Sequence, residues 1–138
     1  MKSLLTFVAL ALMLGTLQMA NASYSDITLT NPVMVTPTGQ PLDSLHVGQE
    51  IAVQSMLTNH STSEQHYTYL VQVLNNKGET EYLEGTSASM VANQTFTEAQ
   101  VWIPKDPGTY TVQVFVWQSL ASAIPLTSVI QTAITVEP

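Results

Sequence analysis

The sequence contains no cysteine and no arginine, and only 9% of its 138 residues are charged. Without cysteine there can be no disulfide, no thiolate metal site and no lipoprotein anchor. A blue-copper centre is excluded for the same reason. Three lysines stand against ten acids, for a net charge of −7. Such a chain repels phosphate backbones, which speaks against a nucleic-acid partner. It also disfavours anionic lipid surfaces and anionic substrates. With so few charges, the surface must be built largely from Ser, Thr, Gln and Asn, a neutral exterior that suits a secreted protein. Reaction motifs are missing as well. There is no Gly-x-Ser-x-Gly elbow, no His-Glu-x-x-His pair and no Asp-x-Asp-x-Asp-Gly loop. The expectation is a protein that is not an enzyme and needs no cofactor.

The one long apolar run opens the chain. Lys2 is followed by Leu4 to Leu14, and Ala20-Asn21-Ala22 supplies the small-x-small pattern that signal peptidases accept. The run ends at Gly15 and is short for a membrane span. Residues 1–22 therefore read as a signal peptide cleaved before Ser23, with retention as an anchor the less favoured alternative. Residues 23–138 then form one domain, carrying two lysines against ten acids. A domain of that size buries about two-thirds of its unfolded surface, so secretion without disulfides is feasible.

Beyond the leader, apolar residues recur with period two and not 3.6. Asp106-Pro-Gly-Thr-Tyr-Thr-Val-Gln-Val-Phe-Val-Trp117 is the clearest stretch. It predicts a turn at Gly108 and then a strand with Tyr110, Val112, Val114 and Val116 on one face and Thr111, Gln113, Phe115 and Trp117 on the other. Gln49 to Asn59, Tyr67 to Asn75, Glu79 to Leu83, Thr95 to Ile103 and Leu126 to Val136 read as further strands. Ser23 to Val35 reads as an edge strand because Pro32 interrupts it. Asn75-Asn76-Lys77-Gly78 signals a hairpin. Gly85 to Asn93 reads as a small-residue connection, and Ser119 to Ile124 leaves room for a short helix. About seven strands with short turns predict an all-β, immunoglobulin-like antiparallel β-sandwich. In it Tyr110 should be buried, with its hydroxyl bonded to nearby backbone in the manner of a tyrosine corner. Val53 or Ser55 and Val112 stand where antibody domains place cysteines, so apolar contact is expected there. Trp102 and Trp117 read as core or sheet-face residues, with a partner-facing anchor the alternative.

Candidate chemistry is sparse. His60, Glu64 and His66 lie in one loop, and two imidazoles with a carboxylate suit zinc or copper(II). An ordinary polar loop explains them better, since nothing orients the rings. Met34, Met56 and Met90 with His46 prompt a copper(I) reading, but they sit in separate segments and suit packing. Glu79 and Glu81, with Glu84, read as solvated charges that shield a strand edge. Asn59-His60-Ser61 and Asn93-Gln94-Thr95 are acceptor sequons for N-glycosylation.

The run Val47-Gly-Gln-Glu-Ile-Ala-Val-Gln-Ser55 with Leu57-Thr-Asn59, Tyr69-Leu-Val-Gln-Val73, Trp102-Ile-Pro104, Gly108-Thr-Tyr110, Phe115-Val-Trp117 and Pro125-Leu126 resembles small immunoglobulin-like domains secreted by ammonia-oxidising archaea. More distantly it resembles CARDB and fibronectin type III modules of cell-surface proteins. These motifs are structural and cover nearly all of residues 23–138. The resemblance implies an extracellular adhesion or spacing unit, although only one copy is present. Two functions follow as expectations. One is a non-catalytic, secreted or cell-surface module binding an extracellular protein or glycan, or assembling through sheet edges such as Tyr24–Thr30. The alternative is a secreted copper- or zinc-binding β-sandwich protein.

Overall fold

The computed structural model describes residues 25–138; the leader read from residues 1–22 and its cleavage point lie outside the described residues. Those described form nine β-strands and no helix. The first sheet is centred on β4 (Ile51–Asn59), with β7 (Thr95–Trp102) along one side. Its other side is shared by β1 (Ile27–Leu29), opposite Leu57–Asn59, and β2 (Val33–Val35), opposite Ala52–Gln54. Pro32 falls in the gap between them, where it has no N–H to give. Thr30 repairs the ladder there. Its N–H donates to the Met56 carbonyl at 3.0 Å, and its hydroxyl accepts the Met56 N–H at 2.9 Å. The two short strands are thus one edge broken by a proline, as the sequence predicts.

The second sheet runs in the order β3 (Leu45–His46), β9 (Ile130–Glu137), β8 (Gly108–Trp117), β5 (Gln65–Leu74), β6 (Thr80–Met90). Its pairs are antiparallel except β3 with β9. Counting the broken edge once and leaving aside two-residue β3, seven strands make the sandwich, which is the expected number. Ser119 to Ile124, where the sequence leaves room for a short helix, is an irregular loop. The connection expected at Gly85 to Asn93 needs correction. Through Met90 it is strand, paired with Gln65–Leu70. An edge strand is held by backbone bonds on one side and can form from small hydroxyl residues that bury little. At Gly85 itself a side chain is resisted, because a Cβ there would lie 2.6 Å from Leu70 Cδ2 and 3.0 Å from the Tyr69 carbonyl.

The core lies between the sheets. Tyr110, Val112, Val114 and Val116 alternate inward along β8, and Tyr67, Tyr69, Val71 and Val73 along β5. Each fully buried side chain of this kind contributes about 1.5–3 kcal/mol of transfer free energy. Trp102 meets Tyr110 edge-on with ring centres 4.9 Å apart, joining β7 to β8. The Tyr110 hydroxyl donates to the Asp106 carbonyl at 2.6 Å, closing the turn that leads into β8. Gly108 leaves that turn at φ 144°, a conformation side chains resist. The sheets are also stitched by polar contact, where apolar packing alone is expected. Tyr69 reaches from β5 to β4, donating within 3.1 Å of Ser55 Oγ and 3.2 Å of the Val53 carbonyl. Every buried side-chain polar atom among the described residues has a partner.

Candidate binding surface

Charge is distributed unevenly over this scaffold. Strands β4, β5 and β8 contain no Asp, Glu or Lys. The acids and lysines fall mostly in turns and near strand ends, with Glu81, Glu84 and Glu98 within β6 and β7. The centre of the larger sheet's outer face, over β5 and β8, is consequently uncharged, and register decides what it presents. Thr68 lies between Ser87 and Trp117, Leu70 between Gly85 and Phe115, and Gln72 between Leu83 and Gln113. Gln113 in turn opposes Gln131 on β9.

These rows interact laterally. Gln72 Nε2 donates to Gln113 Oε1 at 2.8 Å, and Gln113 Nε2 donates to Gln131 Oε1 at 3.0 Å. The result is an amide ladder crossing β5, β8 and β9. Next to it, Phe115 and Trp117 lean together with ring centres 5.8 Å apart at 59°. Both rings are half-buried. Leu70, though on the outer face, is only 5% exposed. Thr68 and Ser87 share a hydroxyl bond of 2.7 Å, and Leu83 stands 53% exposed at the β6 rim. Cross-strand pairs of this kind stiffen a sheet by a few tenths of a kcal/mol to about 1 kcal/mol each. Chemically the face offers aromatic stacking, amide donors and acceptors, and apolar contact. Near its β6 rim it also sets an imidazole against a hydroxyl, His66 with Ser89.

Beside this face, β6 is the edge of the sheet among the described residues. Glu81 and Glu84 fall in its first half, whereas Gly85 to Met90 is uncharged. Charges blunt the first half against adventitious pairing. Glu81 also accepts a bond from Asn75 Nδ2 at 3.2 Å.

The residues singled out as metal ligands are not brought together. His60 Nε2 bonds Thr28 Oγ1 at 2.9 Å, while His66 Nδ1 bonds Ser89 Oγ across the β5–β6 pair. Glu64 is exposed in the intervening loop. Among the described residues no three His, Asp or Glu side chains are grouped to hold a metal ion. The methionine set is scattered too: Met90 is fully buried, Met34 packs against the core and Met56 is exposed. His46 pairs with Ser44 and lies 3.8 Å from the Glu137 carboxylate, at the far end of the sandwich in β3.

The sequons part company as well. Asn93 is exposed at the β6–β7 turn with φ 62°. Asn59 is fully buried. Its amide donates to the carbonyls of Ser63 at 2.8 Å and of Met90 and Val91 at 3.2 Å. Its Oδ1 accepts from the Ser61 N–H and hydroxyl. In the folded chain the side-chain nitrogen of this sequon residue is enclosed and engaged. The amide ladder, by contrast, has no signal in sequence, since it depends on the register of three strands far apart in the chain. Another contact missed in sequence is that of Tyr67 with Glu98, at 2.5 Å across the sheets. Burial, then the Glu98 bond and charge, push the Tyr67 phenol well above its ordinary range.

Comparison with known proteins places this arrangement. A family model described as SlaA-like, S-layer A-like, matches residues 21–136. No curated protein sequence matches the chain. Among solved structures, a β-glucuronidase of glycoside hydrolase family 2 superposes with TM-score 0.64 at 11% identity, over 82% of this chain and 13% of that one. The CARDB domain of a Pyrococcus furiosus protein, in complex with di-metal ions, superposes with TM-score 0.59 at 14% identity, over 83% of this chain and 90% of that one. The C-terminal domain of wzt gives 0.61 at 10% identity, over 83% and 75%. At these identities the likeness is one of fold, and in the glucuronidase it concerns one module of a much longer chain.

Proposed function

The chain belongs to the S-layer A-like family, and from that membership we propose that it is a non-catalytic, secreted cell-surface module. It is held to a neighbouring extracellular protein or glycan by the outer face of its larger sheet. The observation that carries this reading is the uncharged pair Phe115 and Trp117 beside the Gln72–Gln113–Gln131 ladder. Interface centres are depleted in charge and enriched in aromatic residues, and rigid rings lose little entropy on contact. Most side chains of the face are already fixed by their neighbours, so docking orders little more. Family membership supports the location, and the CARDB likeness supports a compact β-sandwich module. The glycosidase likeness involves about an eighth of the matched enzyme and carries no activity with it.

Cell fractionation tests the reading. Wild-type chain should stay with the cell envelope, and a Phe115→Ala/Trp117→Ala variant should pass into the medium with its thermal midpoint changed by only a few degrees. Equal distribution of the two would refute the assignment of contact to this face.

A further inference from the structure

One sequon is built into the scaffold that displays the other. Val91 to Gln94 forms the turn between β6 and β7, with the Gln94 N–H donating to the Val91 carbonyl at 3.2 Å. The Val91 N–H in turn donates to Gln94 Oε1 at 2.9 Å. Asn59, at the end of β4, clamps this turn from beneath. Its backbone N–H donates to the Gln94 carbonyl at 2.9 Å, and its side-chain amide to the carbonyls of Met90 and Val91. Asn93 therefore sits at the apex of a turn tied down on both sides. Its φ of 62° is a left-handed conformation that Asn adopts more readily than most residues. Its side chain is exposed and makes no hydrogen bond among the described residues. Thr95, the hydroxyl residue of the sequon, is exposed at the start of β7, with its Oγ1 2.9 Å from Thr58 Oγ1.

We propose that Asn93 carries an N-linked glycan on the exported chain and that Asn59 is bare. In the step required, Asn93 Nδ2 attacks the anomeric carbon of a polyprenyl-diphosphate-linked oligosaccharide. A C–N bond forms, the C–O bond to phosphate breaks, the diphosphate leaves with the electron pair, and Nδ2 loses one proton. No oxidant or reductant enters. Asn59 cannot share this fate in the folded chain. A sugar on its Nδ2 would replace a donor that the Ser63, Met90 and Val91 carbonyls use, inside a site with no room for it. A glycan at Asn93 emerges at the β6–β7 end, clear of the central rows of the outer face. The proposal rests on the reading of the chain as exported to the cell surface.

The test is mass spectrometry on the chain recovered from its own host. Lys77 and Lys105 are the only trypsin sites after Lys2, so Asn59 and Asn93 fall in different peptides. The peptide from Gly78 to Lys105 should carry a sugar mass, and the peptide ending at Lys77 should not. Asn93→Asp, which tolerates the same φ, and Thr95→Ala should each remove that mass completely. Sugar on the peptide ending at Lys77, or a bare 78–105 peptide from protein recovered outside the cell, would overturn the proposal. Protein found only inside the cell, with both peptides bare, would overturn the surface reading together with it.

Discussion

Replacing Asn59 should be the most damaging single polar substitution in the molecule, and its size can be worked from the contacts. Asn59→Ala removes two N–H donors shared among three carbonyls and an oxygen that accepts two hydrogen bonds. Each such bond has a net worth of about 1 kcal/mol, and a buried group left without a partner costs about 1–3 kcal/mol. Ser63 is exposed, so water can replace the amide there; the buried end of β6 at Met90 has no such recourse. A loss of about 3 kcal/mol follows, a large part of the 5–15 kcal/mol available to a domain. The thermal midpoint should fall by about 10–15 °C. Asn59→Asp is nearly isosteric yet should be worse at neutral pH, because a carboxylate would face three carbonyl oxygens. Burial and those oxygens raise its pKa in the folded state above the unfolded value of about 3.9. Between the two pKa values the folded Asp variant binds more protons than the unfolded one, so its stability rises as pH falls through the raised pKa toward about 3.9. Urea titrations of the wild type and both variants at pH 7 and pH 4.5 measure this directly. A loss below about 1 kcal/mol in both variants at pH 7 would refute the reasoning.

Other outcomes follow from the same coordinates. Gly85→Val should destabilise by about 1–3 kcal/mol, the usual range for forced overpacking, since its Cβ meets Leu70 and the Tyr69 carbonyl; denaturant midpoints report it. Tyr110→Phe keeps the ring against Trp102 and loses the bond to Asp106, so calorimetry should show a drop of about 1 kcal/mol. Alkali should unfold the protein steeply. Burial pushes the Tyr69 phenol up to about 12, and Tyr67, Tyr82 and Tyr110 are raised as well. The unfolded phenols ionise near pH 10 while the folded ones stay protonated, so stability is intact below pH 10 and falls between 10 and 12. Midpoints at pH 8, 10 and 11 that do not change would contradict the tyrosine burial.

Much of the sandwich was legible because its central strands have two unlike faces. The alternation of Tyr110, Val112, Val114 and Val116 with Thr111, Gln113 and Phe115 identifies a strand and says which side is inside. The tyrosine corner is legible too, as Pro107 and Gly108 enforce a turn just before Tyr110. The second half of strand β6 was not, because an edge built from Gly85, Thr86, Ser87 and Ser89 has no apolar face and looks like linker. Its identity comes from the ladder it makes with β5, a non-local property. The same holds for the neutral platform. Gln72, Gln113 and Gln131 become a feature only when register aligns them. Asn59 misleads for the opposite reason: polarity suggests exposure, whereas the end of β4 needed an internal donor to hold three carbonyls. The metal reading of His60, Glu64 and His66 rested on sequence proximity, and the strand alternation from Gln65 onward sends His66 to Ser89.

Rebinding of the purified chain to stripped cell envelopes, followed over a range of salt, tests the central claim most directly. Contact through an uncharged aromatic and amide face predicts binding that persists in high salt and in chelator, and is lost in Phe115→Ala/Trp117→Ala. Binding that disappears with salt or chelator, yet survives loss of both rings, would contradict the account.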